Sequence, residues 1–222
     1  MEKIQQIITN VGGYYADNLC HYVQRLFTDG CVKNPRHNFC HGTDVLEAGY
    51  EAARHHEFSE KFGKDKCLAL LIAHALHDIG HSGRMGNDKQ EVKRAIEIIR
   101  VNILPEHEIL LPDIEMFVGG TEYPHDKNYL ASDVPEYIRL GVDIIRDADM
   151  TPLFKEDWLQ TIVFGLSAEM GITPLQLLRE QPKFISDLHF YTPYFQALYN
   201  KNVINQKLDE VHTWIKILEK NS

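Results

Sequence analysis

The chain has 222 residues, a length that favours one domain with a sizeable core over two. Apolar residues make up 44% and charged residues 25%, as in an ordinary soluble globular protein. The formal charge of −9 disfavours nucleic acid and anionic lipid as partners. Because no apolar run could span a bilayer and no secretory signal precedes the first helix, we expect a cytoplasmic protein with no membrane partner.

Helical periodicity dominates the chain, and strand signals are nearly absent. An apolar stripe between Tyr14 and Phe27 predicts a first helix, and Thr43-Asp44 are acceptable caps for a second. A third helix, capped by Asp65, should carry Cys67 to Leu76 and end at Gly80 or Gly83.

The remaining elements are also helical, apart from one irregular stretch between Gly119 and Pro135 that predicts a long loop. Further helices are predicted over Asp88–Leu104, Pro105–Val118, Pro135–Asp147, Leu153–Met170, from Thr173-Pro174 onward, and over Asn202–Leu218. The sequence therefore predicts a single all-α domain, folded as a compact multi-helix bundle.

The run from Leu71 to His81 places His77, Asp78 and His81 at the end of a helix that is apolar almost all round. Charged groups carried into an interior are costly unless they are paired or bound to metal. Imidazole and carboxylate together suit Zn, Fe, Mn or Mg. The alternative is a His-Asp pair that ends a helix against solvent, and a second dipeptide, His125-Asp126, shows that the pair alone is weak evidence.

Three residues from other parts of the chain are further candidates for this site. His37 and His41 are four residues apart and share a face if their segment is helical, although two half-exposed surface histidines would show the same spacing. Asp149 follows an apolar helix and, taken alone, is only a helix-ending acid.

The four cysteines do not have the spacing of a zinc finger and are expected to be free thiols: Cys20, Cys31, Cys40 and Cys67.

Read in chain order, these motifs resemble the signature of class I cyclic-nucleotide phosphodiesterases, a family within the HD superfamily of metal-dependent phosphohydrolases. The resemblance rests on His37-Asn38-x-x-His41-x-x-Asp44-Val45, then His77-Asp78-x-x-His81-x-Gly83, then Ala148-Asp149. It covers roughly His37 to Tyr199. It implies one HD-type catalytic domain over residues 1–222, an all-α bundle with a central metal site.

The resemblance also implies the chemistry of the site. His41, His77, Asp78 and Asp149 would hold the tighter of two divalent ions, Zn or Fe, and Asp78 would bridge to a second, Mg or Mn. A hydroxide between the two ions would attack phosphorus. His37 would protonate the leaving oxygen, and His81 would orient the water network of the second metal.

The same resemblance suggests how a nucleotide would be held. Gln181 and Phe184 keep the Gln-x-x-Phe spacing with which these phosphodiesterases hold a purine. A glutamine on a helix surface followed by a phenylalanine in the core would show the same spacing without binding a base. Asn38, Glu122 and Tyr123 are further predicted substrate contacts, the last two within the segment that resembles the family's Thr-Asp-Met.

Two departures from the family pattern concern charged residues. Arg36 replaces the aromatic residue usual before His37 and could bind phosphate or be solvated. The acidic residue that supports the waters of the second metal has no certain match, and Glu91 and Glu122 are the candidates.

The function that we expect is hydrolysis of cAMP or cGMP to the 5′-monophosphate, with a small-molecule nucleotide as the only partner and a homodimer left open. Two alternatives also stay open: an HD-type 5′-nucleotidase or other nucleotide phosphohydrolase, and a non-catalytic HD domain that binds a nucleotide.

Overall fold

The computed structural model describes residues 34–83, 88–123 and 133–220, together with residues 6, 7, 23 and 25. Within these residues the chain is helical and has no strand, which confirms the predicted all-α class. The predicted helix between Tyr14 and Phe27 lies outside them, apart from Val23 and Arg25.

The described α-helices are of very unequal length and are joined by short 3-10 and π-helical segments. The α-helices are α1 Phe39–His55, α2 Phe58–Phe62, α3 Lys64–Leu76, α4 Asp88–Asn102, α5 Leu111–Gly119, α6 Glu136–Met150, α7 Ser167–Met170, α8 Pro174–Asp187, α9 Pro193–Leu198 and α10 Lys201–Lys220. Two 3-10 helices cover Pro105–Leu110 and Thr151–Phe154, and a π-helix covers Leu159–Leu166.

Helix α3 forms the centre of the main core. It is buried from Cys67 to Leu76 because its side chains are apolar on every face. Helices α1 and α5 pack against α3, and α6 packs against α1, α3 and α5. This arrangement brings the first turn of α1 and the last turns of α3 and α6 to one place.

A second, smaller core lies in the C-terminal part, where α8 packs along α10. Trp158, 1% exposed, is its largest fully buried side chain, and its indole N–H donates to Glu210 at 2.6 Å. The same core is built from Leu153, Val163, Leu178, Ile185 and Val211.

Several predicted helix ends were wrong, each for a local reason. Helix α1 begins at Phe39 because the Asn38 side chain caps it, while the Thr43 hydroxyl donates back to the Phe39 carbonyl inside the helix. Gly63, rather than Asp65, precedes α3. The cap at Thr173 is confirmed, with a capping box that includes Gln176.

Two predicted helices are interrupted. The segment predicted as one helix from Pro105 is a 3-10 helix followed by α5. The segment predicted as Leu153–Met170 contains the end of a 3-10 helix, the π-helix and the short α7. No single helix in the described parts of the chain is long and apolar enough to cross a membrane. One bent pair, Leu159–Met170 with Pro174–Asp187, passes that test by length and composition together.

Candidate metal centre and active site

Three helices deliver the four predicted metal ligands to one point. His41 lies in the first turn of α1, His77 and Asp78 follow the end of α3, and Asp149 lies in the last turn of α6. One nitrogen or oxygen atom from each of the four side chains lies within 4.8 Å of the others. The fold thus assembles a set that is spread over 109 positions of sequence, from residue 41 to residue 149.

The distances between these atoms are short and even. His41 Nε2 lies 2.9 Å from Asp78 Oδ2 and 3.1 Å from Asp149 Oδ1. His77 Nε2 lies 3.1 Å from the same Asp78 oxygen and 3.5 Å from the same Asp149 oxygen. Ligands at about 2.1 Å from one ion would be about 3.4 Å apart in a tetrahedron and about 3.0 Å apart in an octahedron. The four atoms therefore have the spacing that a single divalent ion requires.

The orientation of His77 fits the same interpretation. Its Nδ1 lies 3.0 Å from the carbonyl oxygen of His74, a contact in which Nδ1–H donates and which leaves Nε2 as the free ligand atom. Nε2 is buried and makes no hydrogen bond of acceptable geometry, although carboxylate oxygens lie close to it. His41 Nε2 differs, since it hydrogen-bonds to Asp78 Oδ2 at 2.9 Å. The unpaired Nε2 of His77 is the atom that a bound metal would engage.

Without a metal the four side chains form ion pairs between buried histidines and half-buried carboxylates. Burial alone would lower the pKa of His77, but Asp78 and Asp149 raise it well above its ordinary value. Burial would raise the pKa of both carboxyl groups, yet the neighbouring histidines hold the pKa of each below its usual range. A proton on His77 thus occupies the place of a cation, and a metal ion would have to displace it.

A second group of side chains lies beside this cluster and contains the predicted proton donor. His37 Nδ1 lies 2.5 Å from Glu169 Oε1, and its Nε2 lies 3.8 Å from Asp78 Oδ2. The rings of His37 and His81 stack with centroids 3.8 Å apart. His37 therefore has one nitrogen bound to a carboxylate and the other directed toward the four predicted metal ligands, which are called the metal cluster below.

Glu169 was missed by the sequence reasoning, although it organises this second group. One of its oxygens accepts hydrogen bonds from the backbone N–H groups of Arg36 and His37, at 3.0 and 3.2 Å. Burial would raise the pKa of Glu169, but His37 and His81 hold it far below its usual value. A lone acid in Ser167-Ala-Glu-Met170 carries no pattern, so only the fold could reveal its role.

Gly83, which the sequence suggested as a helix stop, is what allows Glu169 to come so close. Its φ is +75°, and a Cβ there would lie 2.4 Å from the Glu169 Cγ. The close approach of the Glu169 side chain thus explains why a glycine is needed in His81-x-Gly83. In addition, the Gly83 N–H donates to His81 Nδ1 at 3.0 Å, which fixes that ring.

The two acids suggested as supports for a second metal lie in different surroundings. Glu91 is 6% exposed, and its carboxylate accepts hydrogen bonds from the backbone N–H and the hydroxyl of Ser82, the residue after His81. It thus holds the loop that carries His81. Glu122 instead lines a surface groove of about 590 Å³ between α4 and α5, which none of the four predicted ligands lines.

Asn38 has a structural role that uses its whole amide. The side-chain oxygen accepts from the N–H groups of Cys40 and His41, and the nitrogen donates to the carbonyl groups of Asn34 and Pro35. An asparagine amide has two donor hydrogens and two acceptor positions, so all four are occupied. The substrate contact predicted for Asn38 would have to replace one of these bonds.

The residues predicted to hold a base lie on α8. Gln181 is 7% exposed, and Phe184 packs at the edge of the second core with its ring centroid 6.3 Å from that of Tyr123. The Tyr123 N–H donates to the carboxylate of Asp88. Burial raises the pKa of Asp88, and the hydrogen bond from Tyr123 opposes that effect.

Comparison with known proteins agrees with this geometry. Residues 37–99 match the family described as 3′5′-cyclic nucleotide phosphodiesterase, a stretch that includes both His37 and the His77-Asp78 pair. The chain is a phosphodiesterase-like enzyme. It resembles this family of metal-dependent phosphoric diester hydrolases, and its His/Asp group could hold the metal. Asp149 and the residues of α8 lie outside the matched stretch of this chain. A search of the curated proteins gave no match.

Proposed function

We propose that the enzyme hydrolyses a 3′,5′-cyclic nucleotide to the 5′-monophosphate. The observation that carries the proposal is the juxtaposition of two groups: four ligand atoms within 4.8 Å, and a His37–Glu169 pair whose free nitrogen faces them at 3.8 Å. A metal site without a proton donor would suit a structural role. A metal site with one suits cleavage of an ester whose leaving alkoxide needs a proton.

His41, His77, Asp78 and Asp149 are the residues that would hold divalent metal, with Zn or Fe at the tighter position and Mg or Mn at a second. Bound there, metal supplies Lewis acidity toward the phosphoryl oxygens and a water of lowered pKa. In the reaction, the water oxygen bonds to phosphorus while the bond from phosphorus to the 3′ oxygen breaks.

The proton for the 3′ oxygen comes from His37. Burial lowers the pKa of His37, and Asp78 and Glu169 oppose that effect only in part. The imidazolium is therefore a stronger acid than histidine in water, but it is populated only toward lower pH. Glu169 positions the ring through Nδ1 and stabilises the charged form that donates through Nε2.

The nucleotide base would lie against α8 and the Tyr123 loop. Phe184 offers a ring face next to Tyr123, and Gln181 offers an amide that can reverse to suit adenine or guanine.

The decisive experiment is identification of the product from cAMP, cGMP and AMP, with metal content measured on the same samples. We expect AMP from cAMP, or GMP from cGMP, and the loss of both metal and turnover in Asp78→Ala. Asp209→Ala, an exposed site on α10, is the matched control. Phosphate release from AMP without cleavage of either cyclic nucleotide would favour the nucleotidase alternative. Stoichiometric metal without any turnover would favour the non-catalytic one.

A further inference from the structure

Arg36, the residue before His37, is a buried cation at the edge of the metal cluster. It is 7% exposed, and its backbone N–H is fixed by Glu169 at 3.0 Å. Its carbonyl accepts from the N–H of Asn38, so both ends of the residue are held next to the site. A cation in this position needs a physical reason, because burying an unpaired charge costs several kcal/mol.

No carboxylate of the described residues lies within 4.0 Å of the Arg36 guanidinium, and no hydrogen bond from it is present there. Burial lowers the pKa of Arg36, and the charges of Asp149 and Asp78 oppose this most strongly. Asp44 and Glu169 make smaller contributions, but the Asp44 carboxylate already accepts from the Lys155 ammonium and that of Glu169 is bound to His37.

Metal binding would remove the charge that balances Arg36. One divalent ion cancels the two negative charges of Asp78 and Asp149, the carboxylates with the largest effect on the guanidinium. In the metal-loaded enzyme Arg36 is then a buried cation that faces a neutral or positive centre. Among the described residues no carboxylate pairs with this guanidinium, so an anion that enters from outside would stabilise it.

We propose that Arg36 binds the non-bridging oxygens of the phosphoryl group and selects for the doubly charged form. This inference rests on the proposed function and deepens it, since the guanidinium fork matches two phosphate oxygens. A cyclic diester carries one negative charge and the 5′-monophosphate carries two, and attraction scales with the product of the charges. Arg36 therefore holds the product more tightly than the substrate and makes the enzyme sensitive to phosphomonoesters.

The test compares two small probes, methyl phosphate as the dianion and dimethyl phosphate as the monoanion. Both are titrated calorimetrically into the metal-loaded protein at a pH at which methyl phosphate is doubly charged. In Arg36→Gln we expect affinity for methyl phosphate to fall about 10- to 100-fold, because a charge-assisted contact is lost. Affinity for dimethyl phosphate should fall by a smaller factor, and Arg36→Lys should lie between wild type and Arg36→Gln.

The controls separate this role from a structural one. Arg54→Gln removes an exposed arginine of α1 and should change neither affinity. Metal content should be unchanged in both Arg36 variants, because Arg36 is not a ligand. If Arg36→Gln does not fold, Arg36→Met provides the comparison, since it removes the charge and keeps a long side chain.

The inference is overturned if the ratio of the two affinities is the same in wild type and in the variant that has lost the Arg36 charge. It is upheld if the ratio shifts toward dimethyl phosphate in that variant. Absence of diester turnover by the wild-type enzyme would refute the proposed function instead. The two outcomes can be distinguished because the role of Arg36 is measured by binding of the probes and the proposed function by turnover.

Discussion

Replacing Glu169 by glutamine tests whether its charge makes His37 an effective proton donor. Glutamine keeps the shape and a carbonyl acceptor for the N–H groups of Arg36 and His37, but it cannot balance an imidazolium at 2.5 Å. A hydrogen bond to a charged group contributes about 1.5–3 kcal/mol. If that contribution is made in the transition state, kcat should fall about 10- to 100-fold.

The assay is a series of phosphodiesters whose leaving groups range from alkyl alcohols to p-nitrophenol. A poor leaving group needs a proton and a good one does not, so the loss in Glu169→Gln should shrink as the leaving group improves. Because Glu169 raises the pKa of His37, the pKa of this histidine should be lower in the variant. As pH is increased, the variant should therefore lose activity at a lower pH than the wild type. Glu156→Gln, an exposed site, removes the same charge and is the control.

An equal loss for every leaving group would refute this reasoning, since it would mean that Glu169 supports the metal cluster or the fold. An unchanged rate with alkyl esters would refute it as well, because His37 would then act without its carboxylate partner.

Three further predictions follow from single contacts. Gly83→Ala should reduce activity as Glu169→Gln does, whereas Gly63→Ala, at φ +94° with no atom within 4 Å of the added Cβ, should only lower the melting temperature. Metal-free protein should lose stability as pH rises through the raised pKa of His77, because the folded state favours the protonated ring, and added metal should abolish that loss in thermal unfolding. Asp147→Ala should lower the free energy of unfolding by about 3 kcal/mol in urea titrations, since two buried donors of Thr192 and a partly buried one of Tyr191 lose their acceptor.

The convergence of His41, His77, Asp78 and Asp149 was predictable from the family resemblance, although only the His77-Asp78 pair is local in the chain. His77 and Asp78 end an apolar helix, and the fold brings His41 and Asp149 to the same point, as the resemblance implied. The all-α class was also predictable, since strong helical periodicity with few strand signals leaves little choice.

What escaped prediction was determined by tertiary packing. Glu169 and Asp88 carry no local pattern, and each acquires its role from partners more than 30 positions away, His37 and Tyr123. The interruption between Thr151 and Leu166 was also missed, because a continuous apolar pattern does not distinguish α-helix from π-helix.

The most direct test of the central claim is a titration of Mn²⁺ or Zn²⁺ into metal-stripped protein while turnover of bis(p-nitrophenyl) phosphate is followed. Turnover is predicted to rise in proportion to metal bound in the wild type and to be absent in Asp149→Ala at every metal concentration. Asp149 is the informative position, because it lies outside the stretch matched to the family. Full metal-dependent turnover in Asp149→Ala would contradict the account, since α6 would then contribute no ligand to the site.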